Sequence, residues 1–509
     1  MPETALKAGP QEADPQRWKV LVFISIAQLM VVLDATIVNI ALPSAQHALD
    51  ISDANRQWVV TAYALAFGGL LLFGGRVADL WGRKRAFTIG LVGFALASAL
   101  GGAAGNAGML FAARGLQGVF GALLAPAALS LLAVSFNDAK ERAKAFGIFG
   151  AIAGGGGAVG LILGGVLTEY LNWRWTFFVN IPFAVIAAAG AILVIHEPAG
   201  SRNDSKLDIP GVLLATVGLV SLVYAFTRAD TDGWTAGVTV GLFIVSAVLL
   251  VAFVYVESRV KAPLLPLRVV TERNRGGTYL SMGLAIICMF GLFLFLTYYM
   301  QIVKGYSPVK TGLAFLPMIA GMIIGSTQIG TRLMVRVPGR LLMGPGFLAA
   351  SVGMLMLTQI DLDTSYAALL LPAFLILGLG MGTAFMPAMS LSTFGVQPRD
   401  SGVASAMVNT SQQVGGAIGT ALLNTIASSA TSSYLSSHRP PQGTPAALQY
   451  LDLQSRVHGY STAIWWAFGI LVLASLVAFV SVNAGPQDGS QPAGSGDGAD
   501  DLSIPVMAH

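Results

Sequence analysis

Charge is the first thing this chain lacks. Asp, Glu, Lys and Arg make up 11% of its 509 residues, where a water-soluble chain carries ~25%. So little charge cannot keep a folded surface of this size in water, which excludes a soluble enzyme. An apolar content of 55% also excludes a disordered chain. Cysteine is down to a single residue, Cys288, so no internal disulfide can form. The five histidines (His47, His196, His438, His458 and His509) are scattered without metal-ligand spacing. No G-x-x-x-x-G-K-[ST] occurs, which excludes ATP hydrolysis by a P-loop. The cluster of carboxylates, His or Cys that a membrane enzyme needs is missing too, and no cofactor is expected. The net charge of +4 sits in short segments between apolar runs. That pattern orients a membrane protein; it does not bind nucleic acid.

Apolar runs are what the chain has in abundance. A bilayer core of ~30 Å takes ~20 helical residues to cross. That ruler gives fourteen candidate spans: residues 19–42, 57–77, 86–104, 109–134, 143–167, 175–195, 209–227, 234–256, 276–300, 311–334, 341–360, 366–389, 402–428 and 461–482. The first is too long for the core of a signal peptide, so it is kept as a helix. Arg76, Arg83, Lys84 and Arg85 follow the second span, Arg259, Lys261, Arg268, Arg273 and Arg275 the eighth, and Arg332, Arg336 and Arg340 the tenth. All three groups fall on the side of the N-terminus. The opposite side carries Asp50/Asp53, Asp230/Asp232 and Asp361/Asp363, with Lys304 and Lys310 as exceptions. The positive-inside bias then places both termini in the cytoplasm.

Spans seven and eight have no counterpart elsewhere, and removing them leaves six before and six after. The expected organisation is a tail (1–16), a six-helix bundle (17–195), a polar linker (196–208), an extra helical pair (209–257), a second six-helix bundle (258–483) and a Gly/Pro/Ser/Asp-rich tail (484–509). Two bundles facing each other across a midplane cavity is a transporter plan.

Asp34, within VVLDATIVNIALP of the first span, is the most informative residue. A carboxylate at that depth costs several kcal/mol unless it is paired, wetted or neutral. Burial favours its neutral form and a nearby cation its charged form, so it can exchange a proton as its access to water changes. The plain alternative is a structural Asp bonded to a neighbouring helix. Arg114, in FAARGLQGVFGALLAP of the fourth span, is the second such residue, and Gln117 shares its helical face. It can hold Asp34 ionised, or it can snorkel to the interface. The second half carries neutral polar groups in its spans: Tyr298, Tyr299, Gln328, Asn409, Gln412, Gln413 and Asn424, with Met289, Phe290, Phe293 and Phe295 beside them. Such a lining suits a bulky hydrophobic ligand, although Met and Phe there more often pack against lipid or helices. Gln117, Tyr298, Asn409 and Gln413 are the candidate substrate contacts.

GAIAGGGGAVGLILGGVL in the fifth span contains G-x-G-x-x-G at Gly155, Gly157 and Gly160. It lies inside an apolar helix, without the preceding strand a dinucleotide site needs. Gly156, Gly160 and Gly164 instead form one small-residue stripe for close helix packing.

Several segments together resemble the major facilitator superfamily, and within it the fourteen-span drug:proton antiporters of the EmrB/QacA-like branch. GGRVADLWGRKRAF matches the superfamily's loop motif at Gly75, Asp79, Gly82, Arg83 and Arg85. LDATIVNIALP is similar to the branch's first-helix signature. ARGLQGVFGALLAPA matches its fourth-helix motif at Arg114, Gly115, Gln117, Gly118 and Pro126. The antiporter motif of the fifth helix fits at Gly156, Gly160, Gly164 and Gly165, with Leu161 where that motif has Pro. WRWTFFVNIP and SGVASAMVNTSQQVGGAIG are also typical of the branch.

The resemblance implies an all-α membrane protein with two six-helix bundles and two extra central helices. It implies a proton-coupled exporter of hydrophobic, cationic drugs across a bacterial plasma membrane, acting as a monomer on a small molecule and protons. Asp34 and Arg114 would couple the proton. Asp79 and Arg83 would clamp the cytoplasmic helix ends in the outward-open state, with Gly82 permitting the turn. The matching stretch of the second half, GTRLMVRVPGR, lacks the Asp, so the two gates are not equivalent. Two alternatives stay open: a dedicated exporter of a self-made antibiotic or lipid, not driven by protons, and a membrane sensor or scaffold on the same fold.

Overall fold

Apolar runs of this length become helices because a backbone in lipid must satisfy its own N–H and C=O groups. The structure is a computed structural model that describes residues 16–136, 139–195, 208–260, 263–334, 336–393, 401–438 and 444–485. Among these residues there are fourteen long helical segments: α1 (Arg17–Ala48), α2 (Trp58–Trp81), α3 (Arg83–Gly102), α4 (Ala107–Ser135), α5 (Ala139–Tyr170), α6 (Trp175–Val194), α7 (Ile209–Thr231), α8 (Gly237–Arg259), α9 (Arg273–Val303), α10 (Pro308–Leu333), α11 (Arg340–Leu357), α12 (Tyr366–Ser392), α13 (Ser401–His438) and α14 (Pro445–Ser481). Eleven of them are long and apolar enough to cross a membrane. In α2 and α5 the apolar part is shorter, Trp58–Leu71 and Gly156–Tyr170. Residues 196–207, most of the expected linker, lie outside the described residues.

Local chemistry sets the helix starts. Asn106 caps α4 by accepting from Met109 N at 2.9 Å. Ser307 and Thr444 cap α10 and α14, each followed by a proline in the first turn, where the missing N–H costs nothing. Gly82, at φ 98°, turns the chain from α2 directly into α3, a left-handed conformation that favours glycine.

Helices α1–α6 pack on one another, chiefly α2 and α3 on α4, α1 on α5, and α1 and α3 on α6. Helices α9–α14 form a second group, in which α14 touches α9, α11 and α13 while α12 joins α10 to α11. Between the groups, α2 lies along α13 and α5 along α10. The extra pair α7–α8 docks through α7 against α2 and α13. Its other member, α8, is apolar yet exposes Ile244, Val248 and Val251. A helix hydrophobic all round with its side chains outward requires lipid around it.

Besides a small apolar cluster of Ala64, Leu65, Val223, Ala417 and Ala421, two large cores follow among the described residues. Leu71, Phe87, Phe94, Leu124, Phe136 and Ala187 fill the first half near the tail face, where α1 begins. A larger core runs through the second half and takes in Val38, Leu42, Val59 and Leu161 of the first. The halves are thus welded at the distal face, where α1 ends. By hydropathy alone the thirteenth span ends at residue 428 and the fourteenth begins at 461. Both helices run further, to His438 and from Pro445. Their polar extensions stack Tyr434 on His438 and His458, with ring centroids 4.1 and 4.7 Å apart. Side-chain pairing and a good cap sustain these turns, which a hydropathy ruler does not see.

Candidate functional site

Asp34 lies midway along α1 and is fully buried. Its Oδ2 accepts from Arg114 Nη1 at 2.7 Å. Its Oδ1 accepts from Gln117 Nε2 and from Asn180 Nδ2, both at 2.8 Å. Arg114, from α4, is only 1% exposed, so it does not snorkel. It also donates through Nε to Val59 O at 2.8 Å and through Nη1 to Gln117 Oε1 at 2.8 Å. Its guanidinium carbon sits 4.5 Å from the centre of the Tyr63 ring, a cation–π contact. Ser98 Oγ of α3 accepts from Gln117 at 2.6 Å and from Asn180 at 3.1 Å. Five helices, α1–α4 and α6, thus meet around this ion pair. A buried ion pair of this kind persists only because its remaining lone pairs and protons are satisfied. Asn180 Oδ1 and Tyr63 Oη are the exceptions: both are buried and have no hydrogen-bond partner among the described residues.

A second cluster bridges the two halves at the distal face. Arg56, 3% exposed, leads into α2. It donates to Asn424 Oδ1 of α13 at 3.1 Å and to Asp53 Oδ1 at 3.3 Å, and stands 4.1 Å over the Tyr298 ring of α9. Arg456 of α14 donates to Asp53 Oδ2 at 3.0 Å. Gln46 of α1 donates to Asp53 Oδ1 at 2.8 Å and accepts from Tyr298 Oη. Burial pushes the Asp53 carboxyl up, but Arg56, Arg456 and Gln46 outweigh it and hold it below the usual carboxylate range. Nearby, the Thr61 and Thr420 hydroxyls are 2.6 Å apart, and Gln301 donates to Ile40 O at 2.9 Å.

The structure brings Asp34, Arg114 and Gln117 together. Gln117 is fully buried in the ion-pair cluster and faces no open surface. Tyr298 belongs to the distal cluster. Gln413 sits on the α2–α13 seam, where a Cβ on Gly68 would lie 2.7 Å from its own Cβ. Asn409 is half-buried on α13. None of these three reaches Asp34. In the loop motif, Gly75 faces Pro126 of α4, Arg83 is half-buried and Arg85 is exposed. The Asp79 side chain lies outside the described residues. Lys84 instead fastens the end of α6, donating to Ile192 O at 2.9 Å and Ile195 O at 2.7 Å. In the glycine stripe, Gly156, Gly160 and Gly164 all face α1, at Val32, Thr36 and Ile37, while Gly165 faces Val309 of α10 across the halves. With Leu161 at the motif's proline position, α5 runs unbroken from Ala139 to Tyr170.

Asn180, Ser98 and Tyr63 escaped the sequence reading. Asn180 carried a signal, since it is the one amide in the apolar run WTFFVNIPF. Arg56 was also missed, although it is the basic residue of an otherwise acidic loop.

The profile of the Major Facilitator Superfamily matches residues 24–420. The puromycin resistance protein pur8 of Streptomyces alboniger is 52% identical over 485 residues, covering 95% of this chain and 94% of that protein. The cephamycin export protein CmcT of Amycolatopsis lactamdurans is 37% identical over 430 residues, 84% and 88% of the two chains. Among solved structures, a bacterial homologue of the human lysosomal transporter Spinster, inward-facing and occupied, superposes with a TM-score of 0.67. It is 16% identical and the match covers 93% of this chain and 97% of that one, a likeness of fold. The chain therefore belongs to the Major Facilitator Superfamily and is a multi-pass plasma-membrane transporter, not an enzyme.

Proposed function

We propose that the protein is a proton-coupled exporter of hydrophobic, cationic drugs or antibiotics, working as a monomer with fourteen spans and both termini in the cytoplasm. The observation that carries this reading is the buried Asp34, held by one cation and two amide donors inside the first helical group. In the ionised form both oxygens of Asp34 accept hydrogen bonds, Oδ1 two of them. A proton on Oδ1 turns an acceptor into a donor, so one of the two amides must let go. Asn180 is suited to this: flipping its amide brings the unpartnered Oδ1 toward the new O–H. Protonation therefore re-sorts the bonds between α1, α4 and α6 and cancels the charge facing Arg114. Coupling follows if the proton and the drug favour different arrangements of the halves. The distal cluster then reads as the closed outer gate of an inward-facing state. Tyr298, Asn409 and Gln413 are the proposed drug contacts, and Gly75, Asp79, Gly82, Arg83 and Arg85 the inner gate. The bilayer supplies the drug and the proton gradient the energy.

Efflux of a fluorescent hydrophobic cation from inverted vesicles tests the reading. Asp34→Asn is expected to fold and insert, and to lose proton-driven accumulation. Wild-type accumulation by that variant sinks it. A second reading, a dedicated exporter of an endogenous antibiotic, is favoured by the names of the relatives, puromycin resistance and cephamycin export. A panel of cationic, neutral and anionic compounds separates the two readings, because a dedicated exporter accepts a single chemical type.

A further inference from the structure

The α7–α8 pair carries two acids that the transport reading does not use. Asp208 caps α7, its Oδ1 accepting from Gly211 N at 3.0 Å. Glu257, in the last turn of α8, accepts from Leu265 N through Oε2 at 2.9 Å. The residues are 7% and 3% exposed. The second oxygen of each, Asp208 Oδ2 and Glu257 Oε1, is buried and has no hydrogen-bond partner among the described residues. Both lie 2.6 Å from the position a Cβ on Gly211 would take. The two free oxygens converge on a single point, which any side chain at 211 would fill.

Two carboxylates cannot both stay ionised in such a place. Their free oxygens repel, and each lacks the donor that a buried acceptor requires. Two neighbouring cations have partners outside the pair. Arg76 of α2 donates to Pro263 O at 3.3 Å. Arg259 stacks 5.5 Å from the Tyr255 ring, and Arg268 is exposed on the short helix Leu267–Thr271. Arg202, Lys206 and Lys261 lie outside the described residues. The N-terminus of α7 supplies only about half a positive charge, far short of the two that a pair of ionised carboxylates would carry. We propose that Asp208 and Glu257 bind one proton between them, forming a proton site separate from Asp34 at the tail face of the extra helical pair. The shared O–H···O bond staples the start of α7 to the end of α8. When the proton leaves, like charges push the two ends apart. Because α7 packs on α2 and α13, the staple reports the pH at the tail face to the seam between the halves. It holds in acid and is lost as pH rises.

Thermal unfolding of the full-length protein in nanodiscs, run from acid to alkaline pH, tests the site without any transport assay. The wild type is expected to lose heat resistance on the alkaline side. Glu257→Gln is expected to remove that loss, because its amide N–H donates to Asp208 Oδ2 at every pH. Asp208→Asn, which still caps α7, is expected to do the same. Loss of heat resistance by both variants at all pH values overturns the proposal, and so does a wild type with no alkaline loss. Stabilisation of the alkaline wild type by sodium but not by choline, at equal ionic strength, shows a metal-cation site and overturns it as well. Infrared difference spectra in an Asp34→Asn background give a second readout that does not depend on stability or on the Asp34 reading. A protonated-carboxyl band that vanishes with Glu257→Gln supports the site; no change in that band contradicts it.

Discussion

Asp34 and Arg114 are satisfied by each other and by neighbouring amides, with Val59 O as a further acceptor for Arg114, so single truncations differ sharply. Asp34→Asn keeps an acceptor for Arg114 and removes the titratable group. Asp34→Ala strands a buried guanidinium, a change that costs ~3–5 kcal/mol. Thermal unfolding in detergent should show a large fall in Tm for Asp34→Ala and a small one for Asp34→Asn. At the distal face the sign of the pH effect is fixed by Asp53. Its carboxyl is held below its ordinary value of 3.8. Its contribution is therefore complete above that value and is lost as pH falls through the lower, folded one. Labelling of a cysteine introduced at Gln57 by a dipyridyl disulfide, whose protonated form still reacts with thiols in acid, should stay slow at neutral and mildly acidic pH and speed up only in strong acid. Labelling that accelerates between neutral pH and 5 contradicts this assignment. At this scale the charged members of the site were legible, because an acid and an arginine inside apolar spans are costly and stand out. Ser98 and Asn180 were not, because a neutral polar residue in a span is cheap and only the fold brings it to a carboxylate. Arg56 was hidden for the opposite reason: charge in a loop is ordinary, and burial under Tyr298 came from the other half of the chain.

The elements place these side chains through close backbone approaches. A Cβ on Gly160 of α5 would lie 1.9 Å from Thr36 Oγ1 of α1, two residues from Asp34. Overpacking of this kind costs ~1–3 kcal/mol. Gly160→Ala should therefore lower Tm and disturb efflux, and Thr36→Ala in the same chain should restore much of both. Equal damage in the single and double variants would mean that the contact is not what limits the substitution. Helix existence and order were legible because crossing lipid demands long apolar runs. Ends were less so: α13 and α14 continue past the apolar stretch on a proline-primed cap and Tyr–His stacking, interactions that hydropathy does not measure. The α5–α10 contact, where Glu169 accepts from Val309 N at 3.0 Å, joins residues from separate halves and left no local trace.

For the whole molecule, the halves meet at the distal face through one apolar core and the Arg56 cluster. A transporter must break this contact in each cycle, and the Asp53–Arg456 pair beside the apolar core can separate into water at modest cost. The Thr61 and Thr420 hydroxyls mark the seam at 2.6 Å. A Thr61→Cys/Thr420→Cys pair should cross-link, stop efflux when oxidised and recover on reduction. Cys288, the sole native cysteine, is buried and will not interfere. Efflux unaffected by the cross-link would show that the seam does not open. The superfamily was legible from an ordered set of short segments; the closed distal face was not, since both states of such a molecule share one sequence. The account as a whole rests on Asp34 exchanging its proton when substrate binds. The most direct test is proton release by the purified protein in weakly buffered detergent on adding ethidium, a hydrophobic cation, at concentrations where tryptophan quenching reports binding. The wild type should release protons and Asp34→Asn should bind without release. Equal release by both, or binding to the wild type with none, contradicts the account.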